Sequence, residues 1–231
     1  MLKNLIGNIS SRLLRAAVGR MTTDIELLRT IQACTSSAAL VDLLMTDAQA
    51  CSSRLEVMHA AFNVRASGFI CELGVYRGDS LNEIARKCPH EIIYGFDTFA
   101  GLPEFWRDGF PKGTFDVSSE KIIFEKNCVL YKGLFDETLP KFLKEVQGQA
   151  GLVHIDCDIY SSSISALLLL APRISIGTVI IFDEYFNYTG WQKHEFKAFQ
   201  EFLDSTGLGC KYIAYNKLGQ QVAAIITSRT Q

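Results

Sequence analysis

The stretch GFICELGVYRGDS, residues 68–80, decides the fold. It opens on an apolar run, Gly68-Phe69-Ile70-Cys71, that reads as a strand; it breaks at Gly74 and Gly78; and Asp79 or Ser80 then caps the helical pattern DSLNEIARKC. A strand that turns through glycine into a helix is a common seat for a nucleotide or phosphate. The glycines here stand in G-x-x-x-G spacing, not the G-x-G-x-x-G of a dinucleotide fold, so little of the close approach demanded by a pyrophosphate is provided. Glu72, just ahead of the turn, suits a ligand that carries an amino group and no phosphate.

On the N-terminal side, residues 23–64 are helical in pattern, with apolar residues three or four apart in TTDIELLRTI, SAALVDLLMTDAQA and RLEVMHAAF. Two or three helices are expected there. On the C-terminal side strands and helices alternate. EIIYGFD (91–97), NCVLYKG, GLVHID and GTVIIFDE read as strands, and DETLPKFLKEV, SSSISALLLLAPRI and WQKHEFKAFQEFLDST as helices. CKYIAYN and QVAAIIT end the chain as two strands around the turn KLGQ. Alternation implies parallel pairing through right-handed crossovers, whereas a four-residue connection allows only antiparallel pairing. The expected fold is therefore α/β, a doubly wound, mostly parallel seven-stranded sheet with a terminal antiparallel hairpin, preceded by N-terminal helices. TFAGLPEFWRDGFPKGTFDVSSE (98–120) has no clear period and reads as a long loop; loops of that length in compact domains are usually functional.

The chain has 231 residues, 48% of them hydrophobic, enough for the core of one catalytic domain. A net charge of −2 with scattered Lys and Arg offers no basic face for nucleic acid. Seven cysteines, odd in number and never in C-x-x-C, form a reduced, intracellular pattern, and a cytoplasmic location is expected. The apolar run ALLLLAP is too short to span a bilayer. Met1 to Arg20 carries Lys3, Arg12, Arg15 and Arg20, no acid, and apolar residues at helical spacing. A transit peptide or membrane-surface helix would look like this; the reading preferred is an amphipathic helix packed on the domain or on another subunit, in a homo-oligomer.

Asp97 ends the second strand of the alternating region, beside the glycine turn, where a carboxylate can accept both hydroxyls of a ribose. An adenosine that carries an amino acid and no phosphate is S-adenosylmethionine, and it gives Glu72 and Asp97 a task each. HIDCDIY (154–160) and IFDEYF (181–186) place Asp156, Asp158, Asp183 and Glu184 at C-terminal ends of expected parallel strands, where open α/β sheets keep their sites. Four carboxylates together repel, and a divalent cation with oxygen ligands, Mg²⁺ above all, resolves the conflict. Helix capping by separate acids is the plainer alternative for each of them.

ELGVYRG, DTFAGLP, GLFDETLP, HIDCDIYSS and IFDEY together resemble the macrocin, mycinamicin and novobiocin sugar O-methyltransferase family, over roughly residues 69–202 and in the family's order. The resemblance implies a Rossmann-like class I methyltransferase dependent on a divalent metal. It implies metal ligation by Asp156, Asp183 and Glu184 and a general-base role for Asp158. Cofactor contacts are expected from Glu72, Gly74, Val75, Tyr76, Gly78, Ser80, Asp97, Gly133 and Asp156, and a sugar or glycosylated small molecule as acceptor. The sequence departs from the family at Glu184, where Asp is usual, and at Cys157, where Gly is usual. FNYTGWQKHEFKAFQEF also departs, so the substrates of known members are not transferred.

Residues 1–66 are accordingly expected to be a helical lid or oligomer contact, and residues 67–231 the S-adenosylmethionine-binding domain. His154 reads as a core residue; His194 and Glu195 as possible substrate contacts; and Phe99, Phe105, Trp106, Phe110 and Phe115 as a cofactor cover, a sugar platform or a small cluster within the loop. The competing functions are a metal-dependent glycosyltransferase using D-x-D, a non-methylating relative on the same fold, and a dimeric scaffold with a degenerate site.

Overall fold

A computed structural model describes residues 18, 19 and 22–228. The amphipathic helix expected over residues 1–20 lies outside them, apart from Val18 and Gly19. Helix α1 (Ile25–Leu44) starts at Asp24, whose carboxylate accepts the Leu27 N–H at 3.0 Å. A short strand β1 (Gln49–Cys51) and helix α2 (Arg54–Val64) follow. The alternating region then runs β2 (Phe69–Leu73), α3 (Asp79–Lys87), β3 (Ile93–Asp97), β4 (Cys128–Lys132), α4 (Phe135–Glu145), β5 (Ala150–Ile155), α5 (Tyr160–Leu170), β6 (Val179–Phe182) and α6 (Glu195–Thr206). Strands β7 (Leu208–Asn216) and β8 (Val222–Ser228) close it.

The strands form one sheet in the order β1-β7-β8-β6-β5-β2-β3-β4. Only β8 is antiparallel, to β6 on one side and β7 on the other, as the short KLGQ turn demands. Among the described residues the sheet has eight strands, not the seven expected. The extra one is β1, in the stretch whose apolar spacing continued the helical pattern. It pairs in parallel with β7, Gln49 opposite Ala214 and Cys51 opposite Asn216. The β7 edge offers unpaired backbone groups, and that tertiary opportunity overrides the helical bias of MTDAQA.

Both faces of the sheet are covered. Leu139 and Phe142 of α4, Leu167 and Leu170 of α5, and Phe199 and Phe202 of α6 pack against Leu73, Phe96, Val153 and Phe182 on one side. Val57, Met58 and Ala61 of α2 and Leu81 and Ile84 of α3 pack against Ile70, Leu152, Val179 and Ala223 on the other. Residues 49–64 thus share the core of the sheet domain.

The chain leaves β2 outward to β3 and β4, then returns to place β5 on the other side of β2. The crevice beyond the C-terminal ends of β2 and β5 is therefore the topological switch point, where doubly wound sheets bind ligands.

Candidate active site

Gly74 sits at this crevice. Its φ is +93°, and a Cβ there would lie 1.7 Å from the carbonyl oxygen of Asp156. The backbones after β2 and β5 touch at this point, so the residue is glycine for packing as well as conformation. Asp97 fixes the turn beside it: one carboxylate oxygen accepts the N–H groups of Val75 and Tyr76, both at 2.7 Å, and the other accepts that of Phe99 at 2.7 Å. Tyr76 and Phe99, both held by Asp97, have positive φ, +49° and +57°. The carboxylate expected to face a ribose thus also organises its own floor.

A cavity of about 410 Å³ opens here, a size typical of small-molecule sites. Gly74, Val75, Tyr76, Ser80, Asp97 and Gly133 line one wall, and Asp156, Asp158, Asp183 and Glu184 the other. Two expected cofactor residues do not reach it. Glu72 is fully buried below the wall, where it accepts a 2.7 Å hydrogen bond from the Ser80 hydroxyl, because strand alternation turns it into the α3 interface. Gly78 caps α3 with φ +79°, and a Cβ there would meet the Phe124 ring at 2.6 Å, so its role is conformational.

Asp156, Asp183 and Glu184 each offer a carboxylate oxygen within 4.8 Å of the others. Asp183 Oδ1 and Glu184 Oε2 are buried without a hydrogen-bond partner. Burial first, then the charge of neighbouring Asp183, pushes the carboxyls of Asp156 and Glu184 well above the usual carboxylate range. The same causes push Asp158 up to about 7. Asp158 adopts φ +63°, a strained conformation of the kind that clusters at functional sites. Asp183 is held below its usual value: burial opposes this, but its interactions with His154 and Arg54 outweigh it.

His154 is buried, as a core residue would be, but it lies between acids, with Nδ1 3.5 Å from Glu72 Oε2 and Nε2 3.9 Å from Asp183 Oδ1. Burial favours its neutral form, yet the two carboxylates raise it well above the ordinary histidine value. Glu195 is buried beneath the cluster and accepts the Glu184 N–H at 3.0 Å, while His194 packs edge-on against Trp106. Neither lines the cavity. Among the loop aromatics only Phe115 does so, packed edge-on against Tyr76 at 5.3 Å. Trp106 and Phe110 pack with Arg107 and Tyr188 behind Phe115, which Phe110 touches at 5.8 Å; Phe99 packs against Phe124, and Phe105 is exposed.

Sequence reasoning missed two cations at the rim. Arg77 makes a bidentate pair with Glu120, at 2.8 and 2.6 Å, tying the glycine turn to the end of the long loop. Arg54 stands 4.0 Å from Asp183. The Ser53-x-x-Glu56 pattern was the available signal for Arg54: Ser53 accepts the Glu56 N–H and Glu56 accepts the Ser52 N–H, a capping arrangement that starts α2 with Arg54 over the crevice.

A methyltransferase-domain family matches residues 71–185, from β2 through the acid cluster. Residues 71–185 form a domain of this methyltransferase family. The resemblance read from its motifs is borne out. The chain is 28% identical over 148 residues to the 8-demethyl-8-(2,3-dimethoxy-alpha-L-rhamnosyl)-tetracenomycin-C 4'-O-methyltransferase of Streptomyces olivaceus, covering 51% of this chain and 53% of that protein. It is 24% identical over 143 residues, with the same coverage, to the demethyldecarbamoylnovobiocin O-methyltransferase of Streptomyces niveus. The chain thus matches about half the length of these curated relatives. Among solved structures, the calicheamicin methyltransferase CalS11 superposes with a TM-score of 0.60 at 23% identity, over 87% of this chain and 93% of that one. The O-methyltransferase NovP superposes with a TM-score of 0.54 at 19% identity, over 75% and 77%. These two share the fold of the methyltransferase domain described above.

Proposed function

We propose that the protein is an S-adenosylmethionine-dependent O-methyltransferase, assisted by a divalent cation such as Mg²⁺, acting on a hydroxyl of a sugar or sugar-bearing natural product. The observation that carries this reading is the cavity itself, which is lined by the glycine turn and by buried Asp158 together with Asp156, Asp183 and Glu184. The names of the relatives support the acceptor class.

Asp156, Asp183 and Glu184 fit a hard cation: all donors are oxygens, and two of them are buried without partners. The longer side chain at Glu184 still delivers an oxygen to the cluster. When bound, the cation would stabilise the developing alkoxide of the acceptor. Asp158 takes the acceptor proton at its carboxylate. Ser80, Asp97 and Gly133 hold the methyl donor against the glycine turn, setting it in line with the hydroxyl. Leu102, Pro103 and Phe115 of the long loop wall off water, and Arg54 brings the segment before residue 67 to the rim as part of the cover.

The reading is tested by incubating the protein with labelled S-adenosylmethionine, Mg²⁺ and a panel of sugars and nucleotide sugars, followed by mass spectrometry. A gain of one methyl on a carbohydrate is expected. Hexose transfer from a nucleotide sugar, with no methyl gain on any acceptor, would sink it.

A further inference from the structure

His154 lies between two parts of the site. In the sheet register Glu72 of β2 lies opposite His154 of β5, and His154 lies opposite Ile181 of β6, two residues before Asp183. Period-two alternation turns all three side chains toward the same face. The two ring nitrogens address different acids, Nδ1 the Glu72 carboxylate at 3.5 Å and Nε2 the Asp183 carboxylate at 3.9 Å. Beyond them the contacts continue. The second oxygen of Glu72 accepts from the Ser80 hydroxyl at 2.7 Å, and the second oxygen of Asp183 accepts from Gln221 Nε2 at 3.2 Å. Ser80, after β2, and Asp183, after β6, both line the cavity. A single line of side chains therefore runs beneath the floor, from the glycine-turn wall to the acid wall.

The middle of that line is incomplete. Glu72 Oε2, both nitrogens of His154 and Asp183 Oδ1 are buried, and none has a hydrogen-bond partner. Such atoms are costly in a dry interior, and the two gaps exceed an ordinary N–H···O bond by less than about 1 Å each. A histidine kept only to fill the core would find a backbone or hydroxyl partner. The imidazole is rigid, so closing either gap fixes the ring plane and lowers the ordering cost of closing the other.

We propose that His154 is a positioning residue that couples the two walls: seating the methyl donor against Ser80 and binding a cation at Asp183 each strengthen the other. Acids that ligate metals are commonly oriented by such outer partners, and coupling between two binding events is necessarily reciprocal. The inference rests on the proposed function for the identity of the two ligands.

The test is calorimetry with S-adenosylhomocysteine and Mg²⁺ as probes, each titrated with and without a saturating amount of the other. In the wild type each ligand is expected to tighten the other by the same factor, about 5- to 100-fold. In His154→Gln and His154→Asn, each able to reach only one of the two acids, that factor should fall toward one while S-adenosylhomocysteine alone still binds. Melting curves establish that the variants are folded. If neither folds, Ser80→Ala carries the test: it cuts the line at its outer end and should lose the coupling, read as the ratio of each ligand's affinity with and without a saturating amount of the other. Undiminished coupling in a folded His154 variant, or in Ser80→Ala, overturns the proposal. Independent binding of both ligands to the wild type overturns it too, with the proposed function left standing. Cofactor binding with no cation binding overturns both this inference and the metal part of that function.

Discussion

The two walls of the cavity are built on opposite principles. Around the glycine turn, polar groups find partners within the chain: Asp97 accepts from Val75, Tyr76 and Phe99, and Glu72 accepts from Ser80. Beyond β5 and β6, carboxylates are gathered and left short of partners, with Asp183 Oδ1, Glu184 Oε2 and Glu195 Oε1 all unbonded. The glycine turn of the first wall is held in place by Asp97 as folded, with Glu72 Oε2, turned toward His154, left without a partner. The second is stable only with a proton or a cation among its acids, because like charges in a buried place oppose ionisation.

The sharpest way to break this contrast is at Asp158. Asp158→Asn removes a proton acceptor and leaves the three-carboxylate group intact, so turnover should fall by about 10² to 10⁴, the usual loss for a general base. Calorimetry should still register cation binding, and excess Mg²⁺ should not restore the rate. Asp156→Asn should act on the cation instead: affinity falls, and added Mg²⁺ recovers part of the activity. Equal rescue of both variants would refute the division of roles, and full activity in EDTA would refute the cation.

On the first wall, Asp97→Ala strands three backbone N–H groups beside the turn. We expect a loss of roughly 1.5–3 kcal/mol, the range for hydrogen bonds to a charged group, seen both in denaturant unfolding and in S-adenosylhomocysteine affinity. A loss confined to affinity would show that the turn keeps its shape without the carboxylate.

The smallest effect sharpens the contrast through pH. Asp158 sits at about 7 in the folded chain against an ordinary aspartate value of 3.8, and Asp156 and Glu184 are raised as well. Between about pH 4 and pH 7 the folded state therefore binds more protons than the unfolded one, and stability without a cation should fall as pH rises through that window. Each kcal/mol lost lowers Tm by about 2–4 °C for a chain of this size. Mg²⁺ competes with those protons, so its stabilisation should be larger at pH 7.5 than at pH 5. Scanning calorimetry at the two values, with and without Mg²⁺, reads both signs. A Tm that rises with pH in the absence of cation would show that the acids are compensated from within.

Much of this was written in the order of residues. Alternating apolar runs and amphipathic segments fix strands and helices, and a turn as short as KLGQ between two strands forces them antiparallel, because no crossover fits. Since parallel strands all end on one side, DCD and DE had to arrive on the same edge as the glycine turn, whatever the strand order. These are local rules applied repeatedly, and a sequence carries them without help from distant residues.

What the sequence left undecided depends on which strand neighbours which, and in what register. Edge pairing with β7 made a strand of Gln49–Cys51 despite its helical pattern. Placing β2 against β5 set Glu72 opposite His154, so the acid nearest the glycine turn faces the interior and reaches the cavity only through Ser80. Capping α2 at Ser53 aimed Arg54 at Asp183, more than a hundred positions away in the chain. Burial, finally, raised Asp158 to about 7. Proximity across strands and exclusion of water are properties of the assembled sheet, and only the tertiary structure could turn a row of acids into groups with different affinities for a proton.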